Sequence, residues 1–228
     1  MAMIDLDYDS DILKKSVHME IILPSHDGWT DTEMPYSTLY FLTDYGWGSR
    51  ETASLLSFRL QSMLNGIAVV IVEGENSFYV DELEEGKAYS EFVCTEMLEV
   101  TREILPLSDR SEDTYIGGTG VGGYGAFYNG MKEKGSFSKI ALISPVLDLY
   151  QNKNKRYTKS RLDKVFGSSE RFYQSKEWYQ ALMKEEHEGV FVYCCREGGD
   201  LLACERHLAA MFRFLRCKEE DYEKEGSN

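Results

Sequence analysis

The residues best placed to do chemistry in this chain are glycines. Between Tyr115 and Phe127 the sequence reads Y-I-G-G-T-G-V-G-G-Y-G-A-F, a strand-like start that meets a glycine cluster and leaves as a helix. Two kinds of site use such a turn. In one, Gly118, Gly120 and Gly123 fit G-x-G-x-x-G and let a pyrophosphate approach a helix N-terminus. In the other, Gly118 to Gly122 is an elbow of the G-x-S-x-G kind, with glycine at 120 where a nucleophilic serine would stand. A plain tight connection is the third reading, because glycine tolerates positive φ.

Position along the chain favours the elbow. A dinucleotide turn normally follows the first strand of its domain, whereas here about half the chain and several strands come first. The apolar runs 16–24, 37–42, 67–72, 114–116, 139–144 and 190–195 read as strands, the first two as neighbours joined by a loop that holds Gly28 and Asp31. Helical spacing appears over 50–64, with Ala53, Leu55, Leu56, Leu60 and Met63 on one face and Asn65-Gly66 as the stop. It recurs over 90–105, with Phe92, Met97, Leu98, Val100, Ile104 and Leu105 on the apolar side, and over 122–132 and 201–215. A long, partly helical excursion fills 147–188. Strands alternating with helices predict an α/β fold, a mostly parallel central sheet with helices on both faces, antiparallel only among its first strands.

With these elements placed, the chain resembles the esterase family of α/β-hydrolases that includes esterase D and the tributyrin-esterase-like acyl esterases. Gly118 to Ala126 is similar to that family's elbow G-L-S-M-G-G-Y-G-A, departing at Thr119, Gly120 and Val121. Glu73 to Tyr79 (E-G-E-N-S-F-Y) resembles its G-x-N-S-F-Y loop. Weaker similarity covers Leu39 to Leu42, Phe166-Gly167 and Gly199 to Leu202. The resemblance implies a single α/β-hydrolase domain over 1–228, C-terminally shortened, with a charged tail at 218–228. It places Gly120 at the nucleophile position, Val121 N–H as an oxyanion donor and Asp200 at the triad acid. Asp200 also reads as an ordinary helix N-cap before Leu201-Leu202.

The family's Leu-His-Gly oxyanion loop falls on Leu42-Thr43-Asp44, with Gly46 or Gly48 as alternatives after a shift. A carboxylate at Asp44 opposes an oxyanion. Thr43, Asp44, Asn76, Ser77 and Tyr79 are the expected substrate contacts for a small acyl-ester-like ligand. The family's histidine would fall where the chain reads Glu225 to Asn228. His18, His26 and His187 read as packed or solvated, and Cys204 with His207, three apart on one helix, reads as packing before chemistry. The expectation is a fold and pocket without hydrolytic turnover, serving binding, regulation or assembly. An active carboxylesterase on short acyl esters is the alternative.

The rest of the chain bounds these readings. Its 228 residues fit one domain and its net charge of −14 repels nucleic acid. Five cysteines without a C-x-x-C pair indicate neither a disulfide framework nor zinc, so no metal or cofactor is expected. No apolar run reaches the ~20 residues of a membrane span, and the acidic start lacks a signal core, so a cytoplasmic protein is expected. The aromatics Tyr36, Tyr40, Phe41, Tyr45, Trp47, Phe78 and Tyr79 are expected at the C-terminal sheet edge, as pocket or as core. The basic run 153–159 reads as a solvated loop, and the family resemblance makes a homo-oligomer reasonable.

Overall fold

In the computed structural model, residues 1–24, 33–82, 87–133, 135–151, 157–175, 189–193 and 201–217 are described. Asp200, His26, His187, Gly28, Asp31, Cys194, Cys195, most of the basic run and the tail from 218 lie outside them. The elements are β1 (Ala2–Ser10), β2 (Lys15–Leu23), β3 (Thr38–Leu42), α1 (Ser49–Leu55), α2 (Phe58–Asn65), β4 (Ala68–Val72), α3 (Tyr89–Cys94) and α4 (Glu96–Ile104). There follow β5 (Thr114–Thr119), α5 (Gly120–Lys132), β6 (Lys139–Pro145), α6 (Lys159–Phe166), α7 (Ser169–Ser175), β7 (Val190–Tyr193) and α8 (Leu201–Arg216).

The strands form one sheet in the order β1-β2-β4-β3-β5-β6-β7. The pairs β1–β2 and β2–β4 are antiparallel, and the remaining pairs are parallel. The expected neighbours β2 and β3 are separated by β4, because β3 pairs in parallel through the α1–α2 crossover. The central strands are β-branched and buried along their whole length, as in Ala68 to Val72, since helices cover both faces. On one face Tyr40, Leu42, Val70, Val72 and Ile116 pack with Phe92, Val93, Met97 and Phe127 of α3, α4 and α5. On the other Leu39, Phe41, Val69, Ile71 and Ile143 pack with Phe58, Leu208, Met211 and Phe212 of α2 and α8.

Two expected helices are each broken in two. The 50–64 segment breaks at Leu56, whose ψ of 144° is extended, and Ser57 N–H donates to the Glu205 carboxylate of α8 at 2.8 Å. The break resets the helical phase, so Ala53 and Leu56 are buried while Leu55 and Leu60 are exposed, against the single face expected. Gly66, left-handed at φ 69°, stops α2 as Asn65-Gly66 predicts. The 90–105 segment breaks at Thr95, and Ile104 turns to solvent. Lys139 Nζ closes α8, donating to the carbonyls of Phe214 at 3.1 Å and Leu215 at 3.0 Å. Among the described residues no helix is long and apolar enough to cross a membrane.

Candidate active site

Three loops meet where β3, β4 and β5 end. After β5 the chain turns at Gly120, φ +56°, directly into α5. That backbone is left-handed and costs an L side chain about 1 to 3 kcal/mol, which glycine avoids. Gly122, on the first turn of α5, brings the helix onto β3: a Cβ there would stand 2.1 Å from the carbonyl oxygen of Leu42. Strand, left-handed glycine and helix thus follow one another with the backbone geometry of an elbow.

The first N–H groups of a helix have no partner within it. At α5 one of them, Val121 N–H, donates to Asp44 Oδ1 at 2.7 Å, and Tyr45 N–H donates to the same oxygen at 2.8 Å. Two convergent backbone donors, one after the turn and one from the loop after β3, have the arrangement that an oxyanion hole uses. Here a carboxylate of the chain itself engages both. The same carboxylate occupies the space of the missing side chain, since a Cβ on Gly120 would lie 2.1 Å from Asp44 Oδ1 and 2.5 Å from Oδ2. A negative charge at the N-terminus of α5 suits the helix dipole and opposes a pyrophosphate there, which counts against the dinucleotide reading of the turn.

The third loop, Glu73 to Tyr79, is held in sparsely populated backbone: Glu75, Asn76, Phe78 and Tyr79 all have positive φ, from 44° to 65°. Its anchors are explicit. The Tyr79 hydroxyl lies 3.0 Å from the Thr43 carbonyl, 3.1 Å from the Val72 carbonyl and 3.1 Å from Thr43 Oγ1. Burial pushes this phenol well above its ordinary range, so it stays a donor. Asn129 of α5 donates to the Tyr79 carbonyl at 2.8 Å and accepts from Ser90 Oγ at 2.7 Å. Asn76 Oδ1 accepts from Gly46 N–H at 2.8 Å, which ties this loop to the Asp44 loop. Ser77 is buried, its hydroxyl accepting from Tyr79 N–H at 3.1 Å.

Between the loops lies a cavity of about 230 Å³ whose wall includes Thr43, Asp44, Trp47, Glu73, Asn76 and Val121. Gly120, Val121, Thr43, Asp44, Asn76 and Tyr79 thus converge, and Asp200 lies outside the described residues. Ser77 is not in the cavity wall. Of the seven expected edge aromatics, Tyr45, Trp47, Phe78 and Tyr79 line the cavity. Tyr36, Tyr40 and Phe41 do not. Only residues after Leu42 emerge at the C-terminal end of β3; Tyr36 bridges to Leu107 at the other end, and the Tyr40 hydroxyl meets Thr101 Oγ1 of α4 at 2.8 Å. Tyr45 N–H and Asn129 are the parts that sequence reading misses; their only signal is adjacency to Asp44 and the register of α5.

A roof of α6 and α7 adjoins the cavity, packing Leu162, Val165 and Phe172 on Phe78 and Tyr124. Arg161 ties it down, donating to the Asn76 carbonyl at 3.2 Å and pairing with the buried Glu82 carboxylate. The alternative nucleophile, Cys204, is not supported. Burial pushes the Cys204 thiol up to about 12, so it carries almost no thiolate at neutral pH. Among the described residues one group could converge on a metal ion, Asp5, His18 and Glu20 at the sheet edge, and Arg50 already pairs with both carboxylates.

A mostly parallel sheet wrapped on both faces, with an elbow after β5 and donors from the β3 loop, defines an α/β-hydrolase. The chain superposes with a TM-score of 0.76 on the S-formylglutathione hydrolase of Agrobacterium tumefaciens, 12% identical and covering 95% of this chain and 99% of that one. For the corresponding hydrolase of Staphylococcus aureus the values are 0.72, 14%, 95% and 99%. The family model described as "Putative esterase" matches residues 10–214, and this chain belongs to that family. A curated relative, an acetyl esterase of Caldicellulosiruptor saccharolyticus, is 34% identical over 157 residues, 66% of this chain. The match spans 59% of that protein's length.

Proposed function

We propose that this chain is a non-hydrolytic member of the esterase family, in which the pocket over the elbow binds a ligand without cleaving it. One observation carries the reading: the Asp44 carboxylate fills both the oxyanion hole and the space a serine side chain would need. Acyl transfer by the serine route requires a hydroxyl at the elbow and free donors for the developing oxyanion. Gly120 offers no hydroxyl, and both donors point at an anion already present.

The test is hydrolysis of p-nitrophenyl acetate and butyrate together with labelling by a fluorophosphonate probe. The expected result is no turnover above buffer and no covalent adduct. Turnover abolished by the probe would overturn the reading. It would favour the second one, an active esterase on short acyl esters, whose support is the 34% identity to an acetyl esterase.

A further inference from the structure

We infer that the face formed by β1, α1, α2 and α8 joins two copies of this chain in a two-fold dimer. The inference is independent of the chemistry at the elbow, because none of the residues that carry it lines the cavity.

The exposed residues of α8 include Arg206, Ala209, Arg213 and Arg216, whose spacing of three, four and three puts them in one stripe. Arg59 of α2 is exposed as well. None of these four guanidinium groups pairs with a carboxylate among the described residues. In a chain with 39 acidic and 25 basic residues, a stripe whose only charges are arginines runs against the overall balance.

A second stripe is acidic. Asp5, Asp7 and Asp9 alternate along β1 on the side of the sheet that α1 and α2 cover, since Asp5 pairs with Arg50 of α1. Arg50 neutralises Asp5, which leaves Asp7 and Asp9 to carry the negative charge. β1 is the edge strand, α1 and α2 lie over β2 and β4, and α8 lies over β6 and β7 on that same side. The acidic and arginine stripes therefore flank the α1–α2 pair.

Between them the surface is apolar. Leu60 and Leu64, one turn apart on α2, are 47% and 41% exposed, and Leu55 at the end of α1 is 50% exposed. Met3 of β1, 45% exposed, faces this side too, because its cross-strand partner Ile22 belongs to the core beneath α2 and α8. Exposed leucines and methionine beside arginines have the composition of a protein interface, with an apolar centre and arginine enriched.

The charges name the occupant. A two-fold axis through the leucines of α2 sets leucine on leucine and lays each acidic stripe against the arginine stripe of the other copy. A face that carries its own complement fits a second copy of itself. An anionic lipid surface would attract the arginines, but Asp7 and Asp9 on the same side and a net charge of −14 oppose it.

Sedimentation velocity of the full chain from about 1 to 100 µM tests this. The expected result is reversible association to a dimer that weakens as salt rises. R206E/R213E and D7K/D9K each weaken it at least tenfold. An equimolar mixture of these two variants associates again, because one then carries two acidic stripes and the other two basic ones. L60Q/L64Q weakens it at least tenfold with an unchanged thermal midpoint, since both leucines are exposed. Should D7K/D9K fail to fold, R206E/R213E and L60Q/L64Q decide. A monomer throughout, a dimer indifferent to these variants, a mixture that stays monomeric, or a monomer that co-sediments with phosphatidylserine vesicles overturns the inference. Ester turnover and fluorophosphonate labelling are unaffected by any of these results, so failure here is distinct from failure of the non-hydrolytic reading.

Discussion

At the scale of residues, Gly120 and Asp44 act as one unit, because the carboxylate stands where a side chain at 120 would go. G120S places a side chain at φ +56° and displaces Asp44 from Val121 N–H and Tyr45 N–H. The backbone term alone costs about 1 to 3 kcal/mol. D44G empties the space and removes one helix-end partner, a loss of about 1 kcal/mol by comparison with N-cap deletions. The double variant G120S/D44G keeps the backbone cost and loses the clash. Its urea-unfolding free energy is therefore expected to exceed the additive expectation by about 1 kcal/mol, and strict additivity would show that the two residues do not share that space. Neither single variant gains esterase turnover, since G120S keeps a carboxylate beside the elbow, where it repels a forming oxyanion, and D44G supplies no nucleophile; a p-nitrophenyl butyrate assay checks both. The glycine at 120 was readable from the motif, and so was an acid at 44. That the acid enters the hole was not, because this depends on where two loops meet after the sheet has formed.

At the scale of elements, the turn from Glu75 to Tyr79 keeps four residues in left-handed backbone and must be held there by its partners. The Tyr79 hydroxyl is the central one, joined to both carbonyls at the ends of β3 and β4. Y79F leaves the ring packed and removes a buried donor, with an expected loss of about 1 to 3 kcal/mol and a fall in Tm of roughly 3 to 10 °C. N129A acts on the same turn from α5, and it also strands the Tyr79 carbonyl and Ser90 Oγ. Because both variants loosen one loop, their effects should be less than additive in thermal unfolding. Element positions were largely legible where the pattern is local: β4, β6 and α8 fall close to where apolar runs and helical spacing put them. The breaks at Leu56 and Thr95 were hidden, since a helix reset by a partner such as Glu205 keeps an unbroken periodic sequence on either side. The strand β1 was hidden differently. Its alternation of Ile4, Leu6 and Tyr8 with Asp5, Asp7 and Asp9 has the period of a strand, yet its acid content reads first as a solvated start.

At the scale of the whole molecule, β1 and β2 form a hairpin at the sheet edge, and one buried carboxylate fastens it to a helix far along the chain. Glu96, at the start of α4, accepts from Tyr8 OH at 2.8 Å, from Asp11 N–H at 2.7 Å and from the Ser10 hydroxyl. Burial alone would raise this carboxyl, but the hydrogen bonds from Ser10, Tyr8 and the 11–12 backbone outweigh it and hold the group below its ordinary 4.5. A depressed folded-state value means that the unfolded chain takes up the proton first as pH falls. The stabilisation is therefore complete above about pH 4.5 and is lost as pH drops through the lower folded-state value. E96Q keeps the shape, replaces an acceptor with an amide that must donate, and leaves the turn donors competing for one oxygen. At pH 7 the variant should be less stable by about 1 to 3 kcal/mol in urea unfolding, with amide exchange accelerated first in residues 2–23. As pH falls below about 4.5 the gap should narrow, because the unfolded wild-type chain takes up the proton first, and it should close as the folded carboxyl is itself protonated. A stability gap that stayed constant from pH 7 to pH 3 would place the effect in packing and remove the charge of Glu96 as its cause.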